Sequence, residues 1–541
     1  MKIAIFHGYE LIGSGSNQST RYLARALARD GQEVHVLCRE PAPESVDFAD
    51  RALRWDEGGE ASILFERDGG NAGSCTLHVL PLPPTNAVYI TDTQRPGNVK
   101  AFQDLSDAEL EEYHRFVAAS VEAVLRATPI DVFHANHVIY QPVIAAEVCP
   151  RFGIPFIIYP RGSAIEYTLR NDDRYVRLAR QAVLAADGLI VGNAEVRDRI
   201  RELYPEHDAE ILAKTEIVGL GVDTAAFRPV PREERAASVA KLAACGPFAG
   251  KPAALSHEMH RRLDAGDFSA VGAYRNAYDL KKPDADLTQK LGRIPLDGKL
   301  LIYVGALISG KGVQTLIAAM PSVLKRHPDA HLIVVGSGIS RELFEALVHA
   351  ISSRNESLLD HLVARGFELD PVDIAGEWRD VKAFLERPGV REELFEHGKA
   401  IADHVHFLGR LDHDLLRFLF PCCDVGLFPS IIPEAYANVL FESLANGVFP
   451  MVSYFSGLAC GIDELETHLG ADLVDLMKIP VDDDERIFAL TEQLNGLLAD
   501  GTAAVIAPRL RKVAEENYDW SGRAKQMVAA YGRFVRRHRK A

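Results

Sequence analysis

The chain has 541 residues, 47% hydrophobic and 25% charged, proportions of a folded globular protein of several domains and not of a disordered, collagen-like or coiled-coil chain. Lys and Arg number 60 against 76 Asp and Glu, a net charge of −16, which excludes general attraction to nucleic acid or anionic membrane. The 7 cysteines include no C-x-x-C pair, which argues against a disulfide scaffold and for a reducing, cytoplasmic compartment; no run approaches the roughly 20 apolar residues of a membrane span, and the first residues do not read as a signal peptide.

Met1 to His7 is a short apolar run ended by Gly8 and predicts a buried parallel strand. A loop with Gly13 and Gly15 follows, then an amphipathic helix carrying Tyr22, Leu23, Leu27 and Ala28, and a second strand from Glu33 to Cys38. This β-loop-α-β opening predicts a doubly wound sheet. Further strands are predicted at Ile130–His134, Pro155–Tyr159, Gly188–Val191 and Thr215–Val218. The helices between them are predicted at Val138–Val148, Arg174–Ala186 and Glu195–Leu203.

The same plan then restarts: strand Lys299–Gly305, a glycine-containing loop to Gly312, helix Val313–Leu324, strand His331–Val335. Strands at His404–Leu408, Val425–Pro429 and Phe449–Ser453 continue it, with helices at Asp412–Phe420 and Glu434–Ala445. Residues 231–296 and 339–403 break the alternation. Both carry apolar residues at helical spacing (Leu255, Met259 and Leu263; Leu343 with Leu347, Leu358 with Leu362, Val381 with Phe384 and Leu385) and are predicted to be mainly helical insertions, with disorder competing for part of the first. From Arg509 onward the chain predicts helix broken at Asp519-Trp520. Its basic end, with Arg536, Arg537, Arg539 and Lys540, reads as a solvated helix terminus or a weak membrane or partner contact.

The segment from Pro429 to Glu442, P-S-I-I-P-E-A-Y-A-N-V-L-F-E, carries the most specific chemistry. A strand ends at Pro429 and a helix is expected to begin near Ala435 or Ala437. Glu434 and Glu442 would then be separated by about 80° and about 12 Å on one helix, facing one crevice at two depths. A helix amino end offers N–H groups to phosphate, and carboxylates accept from paired sugar hydroxyls. The plain alternative is a helix-capping Glu434 and a solvated Glu442.

This segment resembles the E-x7-E element of retaining glycosyltransferases of the GT-B fold, glycosyltransferase family 4 (glycosyl transferases group 1). Other motifs match in order: the opening strand and glycine loop, D-V-F-H-A-N-H at 131–137, G-V-D-T-A-A-F-R-P at 221–229, V-G-A-L at 304–307 with Lys311-Gly312, V-H-F-L-G at 405–409, A-N-G-V-F-P at 445–450 and N-Y-D-W at 517–520. The resemblance implies an α/β protein of two Rossmann-like domains facing across a cleft: an acceptor-side domain at 1–228, a nucleotide-sugar domain at 229–519 containing both insertions, and a helix at 520–541 crossing back to the first. The implied enzyme is a retaining hexosyltransferase that moves a sugar from a nucleotide-diphosphate sugar to a hydroxyl of a small molecule, glycan or lipid. Homo-oligomerisation remains open.

Residue by residue, the resemblance implies Lys311 on the donor phosphates, Glu434 on the sugar hydroxyls, Glu442 on the ribose, and Gly13 and Gly15 approaching the diphosphate. Gly305 and Ala435, Tyr436, Ala437 and Asn438 complete the expected donor contacts. No cofactor or metal is expected; the one D-x-D pair after a strand, Asp412 with Asp414, opens a helix and reads as a cap. Three departures stand out. Ala306 replaces the usual Arg, Glu434-Ala435-Tyr436-Ala437 lacks the usual glycine, and Arg161 stands where a sugar-contacting His is usual. Arg161 would supply the missing catalytic charge, read an anionic acceptor, or form only a surface salt bridge. His134, His137, Asn193 and Arg197 are acceptor-side candidates at strand ends. Competing readings are a non-catalytic nucleotide-sugar-binding relative, a same-fold phosphorylase or epimerase, and a dehydrogenase; the last lacks a third glycine at Gln18.

Overall fold

The apolar runs predicted as strands lie in two mainly parallel sheets, one in each of two compact units: Met1–Gly221 with Tyr518–Ala541, and Val222–Asn517. The structure, a computed structural model, describes residues 1–13, 15–89, 97–275, 277–369, 376–436 and 438–540.

The strands of the first unit are β1 (Lys2–Phe6), β2 (Glu33–Cys38), β3 (Arg51–Trp55), β4 (Ala61–Glu66), β5 (Ser74–Val79), β6 (Asn86–Val88), β7 (Val99–Ala101), β8 (Val132–Asn136), β9 (Phe156–Tyr159), β10 (Gly188–Val191) and β11 (Thr215–Ile217). Nine of them form one sheet in the order β11-β10-β9-β8-β1-β2-β5-β3-β4, and β6 pairs with β7 separately. Ile3, Ala4 and Ile5 are all fully buried, so both faces of β1 are covered, as a continuous apolar run requires. From β1 the sheet grows one way through β2 and the other way through β8, with Ile3 opposite both Val34 and Val132. Strand order therefore reverses between β1 and β8, where open α/β sheets gather ligands at their carboxyl ends.

The helix Trp520–His538 belongs to this first unit, capped by Asp519, which accepts from the Ser521 N–H at 2.8 Å. The break at Asp519-Trp520 is as expected, but the preceding helix runs Thr502–Asn517 and starts before Arg509. The sequence reading passed over residues 40–129, which hold β3 to β7 and the helix Asp107–Ala127. The strands were hidden because β4 is an exposed edge, antiparallel to β3, with little apolar alternation. The helix had a legible signal, the capping box of Ser106 and Glu109.

Among the described residues the second unit has six parallel strands: β12 (Lys299–Val304), β13 (Ala330–Val335), β14 (Val405–Gly409), β15 (Val425–Phe428), β16 (Phe449–Ser453) and β17 (Lys478–Ile479), ordered β14-β13-β12-β15-β16-β17. Here the reversal falls between β12 and β15. The helix expected over 412–420 contracts to His413–Leu416 and a 3-10 turn Phe420–Cys422, because Pro421 has no N–H to continue it.

Both irregular stretches are helical and lie in this unit. In residues 231–296 the main helices are Arg235–Ala243 and Ala253–Asp264, with Met259 and Leu263 fully buried. Residues 339–403 include Arg341–Ser352, Glu356–Arg365, Arg379–Glu386 and Val390–His397, and the expected apolar positions are buried. A buried ionic network joins the two stretches. Lys251 donates to Glu342 at 3.0 Å and Glu345 at 2.8 Å. Arg341 grips both oxygens of Asp284 at 2.6 Å and reaches Glu345 at 2.9 Å. Burial alone would raise the Glu345 carboxyl pKa, but Lys251 and Arg341 outweigh it and hold it well below the usual range.

Several histidines are buried neutral: burial depresses His78, His134 and His406 to about 3 and His331 to about 4. Above pH about 6.5 these groups are uncharged in both folded and unfolded chains and contribute no pH dependence. Below it the unfolded chain takes up protons that the fold refuses, so stability falls progressively towards pH 4. Melting temperatures should decline from pH 6.5 to 5; an unchanged melting temperature across that interval would refute the assignment.

Candidate functional site

In the second unit, two loops leave the sheet where its strand order reverses, one after β12 and one after β15. They are locked together. The Gly310 carbonyl accepts from the N–H groups of Ile431 at 2.8 Å and Ile432 at 3.1 Å. Gly312 has φ +76°, and a Cβ there would stand 2.0 Å from the Pro429 carbonyl oxygen, so no other residue fits. This docking brings Lys311 against Glu434 as an ion pair. Glu434 also accepts from the Ser430 hydroxyl at 3.0 Å. The two charged side chains remain 23% and 22% exposed, open to a ligand.

The helix expected from Glu434 begins only at Asn438. Glu434 therefore lies in the loop four residues ahead of it, and the two carboxylates do not share one helix. The physical reason is visible in the Glu434 carbonyl, which accepts from the Gly457 N–H and the Ser456 hydroxyl, both at 2.9 Å, in place of starting a helix. These two donors open the helix Ser456–Leu469. Ala435 lies in the same loop, and Tyr436 stacks on Phe441 with centroids 5.2 Å apart. Ala437 lies outside the described residues. Gly305 leaves β12 beside Ala306, which is exposed and whose carbonyl accepts from the Tyr303 hydroxyl at 2.8 Å.

Glu442 is buried, at 5% exposure, and is not the solvated residue of the plain alternative. His413 Nε2 lies 3.2 Å from its Oε1. Burial opposes charging of His413, but the Glu442 carboxylate, by charge and hydrogen bond, outweighs it and raises the pKa. Asp412 caps the short helix by accepting from the Leu415 N–H at 3.1 Å, which turns the middle residue of D-H-D towards Glu442. Sequence reading weighed the acids and missed that histidine. It also missed Trp378, fully buried, whose indole N–H donates to Ser309 at 3.2 Å and so backs the Lys311 loop from within the second irregular stretch. No local pattern marks such a contact.

In the first unit the carboxyl ends of β1, β8 and β9 carry a second cluster. The Asn136 amide donates to Thr20 Oγ1 at 2.9 Å and lies 3.2 Å from His7 Nδ1. Its Oδ1 faces His134 Nε2 at 3.2 Å and Arg161 Nη2 at 3.5 Å. His134 Nδ1 sits 2.6 Å from the Tyr531 hydroxyl on the last helix. The partners give neutral His134 its proton on Nε2, with Nδ1 accepting from Tyr531. His137 has φ +66° and packs its ring against His7 and Tyr89. Arg161 is 8% exposed, its guanidinium 4.4 Å from the Tyr159 ring centroid, with no carboxylate partner among the described residues; the surface salt bridge is thereby corrected. Gly13 and Gly15 are exposed in the loop after β1. Asn193 is engaged as the cap of helix Ala194–Leu203, accepting from the Val196 N–H at 3.0 Å, and Arg197 pairs with Asp198 at 2.9 Å.

Two family models match the chain: Glycosyl transferase 4-like domain over residues 14–213 and Glycosyl transferases group 1 over residues 285–358. An uncharacterized glycosyltransferase of Methanocaldococcus jannaschii is 26% identical over 235 residues, 43% of this chain and 45% of that protein. The phosphatidyl-myo-inositol mannosyltransferase of Mycolicibacterium smegmatis is 24% identical over 240 residues, 44% of this chain and 46% of that protein. The matches thus span less than half the length of these relatives. Among solved structures, sucrose-phosphate synthase from Thermosynechococcus elongatus aligns over 98% of both chains with a TM-score of 0.56 at 17% identity, a likeness of fold.

Proposed function

Because the chain belongs to glycosyltransferase family 4, with the two Rossmann-like units of the GT-B fold, we propose that it transfers a sugar from a nucleotide-diphosphate sugar to an acceptor hydroxyl with retention of anomeric configuration. The observation that carries this reading is the Lys311–Glu434 pair on the two interlocked loops of the second unit. Without donor, each group is the other's counter-ion. A bound diphosphate takes over Lys311, which releases Glu434 oxygens to accept from sugar hydroxyls. As the anomeric bond breaks, negative charge grows on the diphosphate, and the already placed Lys311 stabilises it without reorganisation. The leaving phosphate then takes the acceptor proton on the same face of the sugar.

Slow release of nucleoside diphosphate from UDP-, GDP- or ADP-sugars in the absence of acceptor tests the reading. Failure of all three diphosphates to raise the melting temperature, together with no release, would refute it. We propose that the reaction needs no metal, so activity should survive EDTA; a loss reversed by magnesium or manganese would reopen Asp412 and Asp414 as ligands. No helix among the described residues is long and apolar enough to cross a membrane. The seven cysteines, none of them in a disulfide among the described residues, support a reducing, cytoplasmic setting.

Glu442 is assigned to the nucleotide ribose, whose hydroxyls do not change during transfer. Glu442→Gln should therefore raise the donor KM by about 10- to 150-fold, the range for losing a charge-assisted hydrogen-bond pair, and leave kcat nearly constant. Donor-varied steady-state kinetics decide this, and a fall in kcat at unchanged KM would contradict it.

A further inference from the structure

Five arginines are buried among the described residues: Arg161, Arg199, Arg235, Arg341 and Arg486. Four face carboxylates. Arg199 meets Glu166 and Glu195, Arg235 meets Asp424, Arg341 meets Asp284 and Glu345, and Arg486 lies 3.9 Å from both Asp380 and Asp483. Among the described residues Arg161 has only the neutral Asn136 amide and the Tyr159 ring, and its Nε–H has no acceptor there. A buried cation normally keeps an anionic partner, because desolvation otherwise opposes its charge. Beside it on the same sheet edge His137 is 1% exposed, and neither ring nitrogen has a hydrogen-bond partner among the described residues. The left-handed backbone at its φ of +66° is uncommon for a residue other than glycine, which fits a side chain held for a ligand.

We propose that Arg161 and His137 form a receptor for an oxyanion, phosphate or carboxylate, carried by the acceptor. The inference rests on the transferase reading for the word acceptor, and on the two orphaned side chains for the anion. Both residues follow adjacent strands, β8 and β9, next to the strand-order reversal of the first sheet. Asn136 aims the fork: its Oδ1 accepts from one Arg161 nitrogen. That leaves the Arg161 Nε–H and an imidazole N–H of His137, neither with an acceptor among the described residues, to donate to an oxygen, as a phosphate or carboxylate requires. The donor-phosphate candidate Lys311 and the ribose candidate Glu442 belong to the other unit, and a titration with nucleoside diphosphate already bound separates this receptor from the donor site. A protein of net charge −16 has no general attraction for an anionic acceptor and needs such a local site.

Calorimetric titration of inorganic phosphate into the full chain, after saturation with nucleoside diphosphate, tests the receptor. Phosphate is expected to bind, and Arg161→Gln to weaken it by about 10- to 100-fold, the loss of charge-assisted hydrogen bonds. Arg161→Lys, which keeps the charge and loses the fork, should fall between. Unchanged nucleoside-diphosphate affinity in both variants certifies their folding. Phosphate affinity indifferent to Arg161 overturns the proposal. So does the absence of phosphate binding once nucleoside diphosphate is bound. If no nucleoside diphosphate binds at all, the transferase reading falls, while Arg161-dependent phosphate binding still supports the oxyanion receptor.

Discussion

Lys311→Ala should lower kcat, and kcat/KM with it, by about 10²- to 10³-fold, the usual cost of removing one preorganised group that meets charge developing in the transition state. The structure sharpens the expectation. Lys311 is the counter-ion of Glu434, which stands on the opposite loop beside Ser430. Without its ammonium group, position 311 no longer balances the Glu434 charge at the proposed diphosphate site, and donor binding should weaken as well. Lys311→Ala with Glu434→Gln should recover part of the lost affinity but none of the lost kcat, because the contact that strengthens during bond breaking is absent from both. The fold should be nearly indifferent, since the pair is partly exposed. Donor-varied kinetics with melting temperatures check this. A variant that keeps its kcat and loses only KM would assign Lys311 to ground-state binding.

Lys251→Met should destabilise the second unit by about 3–5 kcal/mol, the cost of removing one partner from a buried ion pair, and lower its melting temperature on the order of 10 °C. Lys251 is 1% exposed and holds Glu342, fully buried, and Glu345, 7% exposed, together. Its loss leaves more carboxylate than Arg341 alone can balance. Adding Glu342→Gln should restore much of the stability if uncompensated charge is the cause. A single variant that melts within a degree or two of the parent, or a double variant no better than the single, would show that the network contributes little.

Much of this protein is legible in its sequence. The parallel strands are buried on both faces, so their apolar runs are continuous and bounded by glycine. That made β1, β2, β10 and β16 readable almost to the residue. The glycines around Lys311 were legible because the close approach of Gly312 to Pro429 excludes every side chain, and Lys311 and Glu434, 123 positions apart, do meet.

Three decisions belonged to tertiary structure alone. The start of the helix after Glu434 was set by Gly457 and Ser456, donors from a distant segment that occupy the Glu434 carbonyl. The partner of Glu442 was His413, turned inward when Asp412 took the capping role. Arg161 became a buried cation when strands β8 and β9, with the last helix, closed over the sheet edge. Periodicity and spacing report which side chains a segment buries, because burial follows from the local backbone repeat. They carry no information on which donor reaches a given carbonyl, or which charge is left without a counter-charge, because those outcomes depend on residues brought together only by the fold.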